Sequence, residues 1–82
     1  MATRKDLVKK LSENLEYLKI RDSRYAVDCV LDYLKSELIK GNRIEIRGFG
    51  SLSVRRRSYP NKNEQYNTIY YRMSKNIKDA LE

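Results

Sequence analysis

A chain of 82 residues with one cysteine and no histidine has room for a single small domain, residues 1–82, and excludes an internal disulfide framework and a protein-bound zinc site. A domain this short removes only about 60 to 65 % of its unfolded surface from water, which leaves a partner subunit as the remaining source of stability. The formal charge is +7, and it is concentrated: residues 1–42 carry nine basic and seven acidic side chains, residues 43–75 eight and two.

Residues 3–40 contain neither Gly nor Pro. Leu7, Val8, Leu11, Leu15 and Leu18 form one helical stripe behind a capping box of Thr3 and Asp6. A second stripe, Ala26, Val27, Cys29, Val30, Leu31, Tyr33, Leu34 and Leu38, ends at Gly41, a residue suited to a left-handed C-terminal cap. The two stripes are out of phase by about 90°, so a break is expected near Lys19 to Ser23, with Asp22 and Ser23 as N-cap residues. The second stripe spans about 200° of arc, twice what one packing partner covers, and calls for a second chain.

Beyond Gly41 the period becomes two. Ile44 and Ile46 alternate with Arg43, Glu45 and Arg47, Gly48-Phe49-Gly50 interrupts, and Leu52 and Val54 then alternate with Ser51, Ser53, Arg55 and Arg57. Ser58 to Asn67 reads as a polar loop around Pro60. Thr68 to Met73 reads as a third strand, with Ile69, Tyr71 and Met73 on one face. Ser74 can cap a last short helix that turns Ile77 and Leu81 inward. The expected class is α+β: two N-terminal helices, three antiparallel strands and a short C-terminal helix.

If the apolar strand faces are covered, alternation gathers Arg43, Arg47, Arg55, Arg57 and Arg72 on the opposite face. A solvated face would mix signs, but Glu45 is the lone acid there, so phosphate contact is expected. A pI near 9.7 points the same way, to nucleic acid ahead of an acidic membrane surface. No apolar run is long enough to span a membrane and no signal pattern is present, so a soluble, cytoplasmic chain is expected. Without histidine, a metal cluster or a phosphate loop, no enzymatic activity, cofactor or small-molecule substrate is expected.

The run from Arg43 to Val54, read together with Tyr71-Arg72-Met73-Ser74-Lys75, resembles the bacterial histone-like HU and integration host factor proteins, especially the integration host factor beta subunit. The resemblance covers nearly the whole chain up to Arg57 and resumes at Thr68. It implies a nucleoid-associated architectural protein, an intertwined homodimer or heterodimer with a DNA-facing saddle, and it starts the second helix near Ile20. It further implies that Phe49 packs in the dimer core, with Val30 and Leu34 of the wide stripe, and that Arg4, Arg47, Arg55, Arg57, Arg72 and Lys75 match basic positions along DNA. Where the family extends long arms tipped by a proline wedge, this chain is shorter by about 10 residues, or about 17 Å of reach. Pro60 therefore reads as a turn residue, and Lys62 is the cation left near a phosphate.

The remaining candidates have local explanations. Cys29 on the apolar arc reads as a buried inert thiol, Asp28 and Asp32 as a solvated face beside Arg24 and Lys35, and Tyr17, Tyr25 and Tyr33 as interface-rim packing. Tyr59, Tyr66 and Tyr70 lie near the basic face, within reach of sugar or bases. Two other functions fit the same pattern: a binder of single-stranded or junction nucleic acid, and a dimerisation module that pairs with a full-armed relative.

Overall fold

Thr3 opens the first helix as its side-chain oxygen accepts from the Asp6 amide at 3.3 Å while the Asp6 carboxylate accepts from the Thr3 amide at 2.9 Å, which satisfies two donors that the first helical turn leaves unpaired. The computed structural model describes residues 1–82 in the order α1 (Arg4–Asn14), α2 (Ile20–Ile39), β1 (Ile44–Ile46), β2 (Gly50–Ser58), β3 (Gln65–Met73) and α3 (Lys75–Leu81). This is the expected order of elements. The chain divides into two compact units, Met1–Leu34 and Lys35–Glu82, and α2 crosses from one to the other.

In the first unit Val8 of α1 and Val27 of α2 are buried, together with Ser23, which has no exposed surface. Two boundaries differ from those expected. Helix α1 stops at Asn14, where the Leu15 amide donates to the Leu11 carbonyl at 2.9 Å, so Leu15 and Leu18 lie in the connection and not on the helical stripe. Helix α2 starts at Ile20, because the Ser23 amide already donates to the Lys19 carbonyl at 2.9 Å. Asp22 and Ser23 are therefore residues of its first turn, where Asp22 still complements the positive end of the helix. Cys29 is exposed and not buried. It neighbours Tyr25, and the interaction of the two groups raises the Tyr25 pKa above its ordinary value.

The second unit begins with the end of α2. Gly41 takes φ +82° and donates its amide to the Leu38 carbonyl at 3.0 Å, the left-handed cap expected of it. The three strands form one antiparallel sheet in the order β1-β2-β3. Its register pairs Ile44 with Leu52, Leu52 with Tyr71 and Val54 with Ile69, so the apolar positions share a face, and Ile44 is the buried residue among them. Between β1 and β2 the chain reverses through Gly48 and Phe49, and the Phe49 amide donates to the Ile46 carbonyl at 3.0 Å. Gly50 has φ +146°, and a Cβ there would overlap the Arg72 carbonyl oxygen and the Tyr71 ring.

Pairing of β2 with β3 continues to Ser58 and Gln65. The loop expected over Ser58 to Asn67 is thus confined to residues 59–64, and the last four pairs form an exposed two-stranded ribbon about 13 Å long. Ser74 caps α3 by accepting from the Ile77 amide at 3.3 Å. Leu81, expected to turn inward, is 73 % exposed. No helix is long and apolar enough to cross a membrane.

Candidate nucleic-acid interface

Residues directly opposite in an antiparallel pair point to the same side. The register sets Ser51 against Arg72, Ser53 against Tyr70, Arg55 against Thr68 and Arg57 against Tyr66, and Glu45 joins them through its pairing with Ser51. Arg55, Arg57 and Arg72 accordingly share one face of the sheet, the face away from Leu52, Val54 and Ile69. Arg43 and Arg47 lie just outside β1 and line, with Glu45, Ser51 and Arg72, one open hollow of about 630 Å³. None of these five arginines takes part in an ion pair, and Glu45 is the one acid that shares the hollow with them.

Fixing so many cations requires a rigid frame, and the Gly48-Phe49-Gly50 reversal is tied down three ways. The Ser74 hydroxyl donates to the Gly48 carbonyl at 2.8 Å, and the Phe49 carbonyl accepts both from the Tyr71 hydroxyl at 2.7 Å and from the Ser74 amide at 3.1 Å. The Phe49 ring lies 5.1 Å from the Tyr71 ring, tilted by 44°, and remains 46 % exposed in the single chain. Lys75, the first residue of α3, lines a second hollow of about 650 Å³ of mixed charge, with Arg72, Lys78, Asp79 and Glu82.

Along the ribbon the guanidinium of Arg55 stacks 3.6 Å from the centre of the Tyr70 ring. This contact orders the cation without neutralising it, and it closes Tyr70 to a base on that face. Tyr59 and Tyr66 pair with each other, their ring centres 4.6 Å apart and tilted by 42°, and Lys62 holds its ammonium 5.7 Å from the centre of the Tyr59 ring. Arg56, absent from the sequence-derived set because alternation turns it away, sits opposite Asn67 on the second, equally solvated face of the ribbon. The signal that could have found it is the unbroken Arg55-Arg56-Arg57 run.

Arg4 belongs to the first unit and is engaged there. Its Nε and an Nη donate to the two carboxylate oxygens of Asp28, each at 2.7 Å. That hydrogen bonding, with the neighbouring charges of Arg4 and Arg24, holds the Asp28 carboxyl below its usual pKa against the opposing effect of burial, and raises that of Arg4. Asp28 is thus hydrogen-bonded to Arg4, a partner the sequence did not point to, while Arg24, expected beside it, contributes through its charge. Val30 is 59 % exposed and Leu34 half-buried. With Leu7, Leu11, Ala26, Val27 and Leu31, Val30 lines an apolar hollow of about 480 Å³ between α1 and α2.

A family model described as bacterial DNA-binding protein matches residues 2–82. An HU-like DNA-binding protein of Rickettsia prowazekii is 47 % identical over 77 residues, which are 94 % of this chain and 96 % of that one. Integration host factor subunit beta of Burkholderia cenocepacia is 44 % identical over 55 residues, 67 % of this chain and 51 % of that protein. Among solved structures, a mutant HU from Thermotoga maritima matches with a TM-score of 0.79 at 25 % identity, covering 99 % of this chain and all of that one. An Anabaena HU–DNA cocrystal structure matches in fold, with a TM-score of 0.73 at 16 % identity over 98 % and 97 % of the two chains.

Proposed function

The chain belongs to the bacterial DNA-binding protein family of HU and integration host factor, and from that premise we propose that it is a dimeric, nucleoid-associated architectural protein of the cytoplasm that holds duplex DNA by its phosphates. The observation that carries this reading is the row of Arg55, Arg57 and Arg72 on one sheet face, continued by Arg43 and Arg47, with no ion pair to neutralise it. We place Lys62, at the ribbon tip, and Lys75, beside Arg72, among the phosphate contacts as well. Contacts of this kind read the backbone and its deformability, not base edges, so sequence specificity is low and the protein acts by binding, not by catalysis.

Two facts support the dimer. The single chain exposes 7486 Å², whereas a compact monomer of this mass exposes about 5,200 Å². An excess on the order of 2,000 Å² is the scale of an obligate interface. Phe49, Val30, Ile39, Ile46, Ile69 and Met73 are all exposed in the single chain, and they are apolar surface that a second copy would cover. A related full-armed subunit would meet the same surface, and mixing the two proteins distinguishes a homodimer from a heterodimer.

The arm leads to the finer proposal. A ribbon of four pairs ending in residues 59–64 has neither the length nor an arginine-asparagine-proline tip to wedge a base step, so the cost of bending a short site, about 1 to 6 kcal/mol, must be met by saddle contacts alone. The protein therefore bends DNA less than long-armed relatives.

A salt titration of duplex affinity tests the phosphate reading. With about 6 to 10 phosphates engaged per dimer, log K falls against log salt with a slope of about −5 to −9. A flat slope removes the proposal. Energy transfer between dyes on the duplex ends then measures the bend. A sharp approach of the ends that depends on Pro60 would refute the reduced-bending reading.

A further inference from the structure

The ribbon tip carries two aromatic rings that the phosphate reading does not use. Tyr59 and Tyr66 are 43 % and 37 % exposed, although each already covers part of the other. Their surroundings are cationic: Arg57 is directly opposite Tyr66, Arg55 is two residues further along the same face, and the Lys62 ammonium sits over the Tyr59 ring. A second copy of this tip would be repelled, and an uncharged apolar partner would have to strip water from three cations. The partner that matches both features is a polyanion with flat π faces.

The tip is also held in one shape. The Tyr59 amide donates to the Glu64 carbonyl at 3.2 Å, the Lys62 amide donates to the Tyr59 carbonyl at 3.4 Å, and Asn61 takes the left-handed conformation at φ 65°. With Pro60 fixing one further dihedral, little backbone entropy is lost on binding. A pair of rings tilted by 42° is too thick to serve as a blade between stacked base pairs. It can, however, receive a base that has already left the stack.

We propose that Tyr59 and Tyr66 form a stacking site for an unpaired nucleobase of DNA, with Arg57 and Lys62 holding the phosphates on either side of it. The proposal rests on the nucleic-acid reading above and adds a contact to bases, which the arginine face does not make. Stacking is sequence-tolerant because every base has a π face. It favours bulges, gaps and ends, where the cost of unstacking has already been met.

The test uses the full chain and three short duplexes: intact, with a bulge of two thymidines, and with the same bulge built from abasic residues. The two bulges share backbone, charge and flexibility and differ in the bases alone. Binding to the thymidine bulge about tenfold tighter than to the abasic bulge is expected. Equal binding to the two bulges by the unaltered protein overturns the proposal and needs no variant. Tyr59→Leu with Tyr66→Leu should abolish the preference, read as the ratio of the two bulge affinities so that any loss shared with the intact duplex through Lys62 or Arg57 cancels, whereas Tyr59→Phe with Tyr66→Phe should keep it. A preference that survives the leucine pair, or is lost in the phenylalanine pair, assigns the effect to flexibility or to the hydroxyl groups and equally overturns stacking. Failure to bind the intact duplex at low salt would instead bring down the phosphate reading.

Discussion

Arg4 and Arg55 are both arginines on the surface of this chain, yet the two units treat them in opposite ways. In the helical unit Arg4 is clamped by both oxygens of Asp28 at 2.7 Å, and its charge is cancelled where it stands. In the strand unit Arg55 lies on the Tyr70 ring at 3.6 Å and is ordered without being cancelled. An ion pair orders a cation by neutralising it, whereas an aromatic face orders it and leaves its field intact. Net charge alone hides this difference.

The sharpest way to break the contrast is to remove the frame on which the second region stands. At Gly50 any side chain meets the Arg72 carbonyl oxygen, and the backbone is in a region that residues with a Cβ avoid. Gly50→Ala should cost on the order of 3 kcal/mol, read as a lower urea midpoint, and DNA binding should fall with it. A smaller effect is expected from the charge itself. Arg55→Ala should reduce the steepness of the salt slope by about 0.9 for each phosphate that is no longer neutralised, whereas Arg4→Ala should leave it nearly unchanged.

Tyr70→Leu sharpens the comparison further, since it removes the ring under Arg55 and keeps the cation. An affinity loss of about 0.5 to 1 kcal/mol is expected, without a change in salt slope. The smallest effect belongs to the Arg4–Asp28 pair. Because Asp28 titrates below its ordinary value in the folded chain, its contribution is complete above the unfolded pKa and is lost as pH falls through the lowered one. A thermal melt followed from neutral pH into that acid range should show this loss in the natural chain and not in Asp28→Asn. The same variant frees Arg4, so its salt slope should steepen if DNA reaches the first unit.

Local chemistry was legible wherever it acts through neighbours in sequence. The Thr3–Asp6 box, the Gly41 cap, the Ser74 cap and the alternation that groups Arg55, Arg57 and Arg72 all follow from residue type and period. What could not be read depends on packing or register. Ser23 looks like an N-cap, but it is drawn into the interior, and burial overrides its capping preference. Gln65 to Asn67 carry no strand signal because both faces of the ribbon are solvated, and alternation marks a strand only where one face is buried. The Arg55–Tyr70 stacking is diagonal across β2 and β3, so it becomes visible only once the register is known. The phase of Cys29 and Leu81 points inside, yet both are exposed in the single chain.

The strand order β1-β2-β3 leaves β3 at the edge for its full nine residues. One side of that backbone is a template on which another strand could add, and proteins blunt such edges with charge. Here β3 itself carries one charge, Arg72, so its guard comes mainly from the arginines of the neighbouring β2, and it weakens as the screening length shrinks to about 3 Å at 1 M salt. The conditions that strip this protein from a phosphate backbone are therefore the ones that leave it most prone to aggregate edge to edge, and purification at high salt should be followed by prompt dilution.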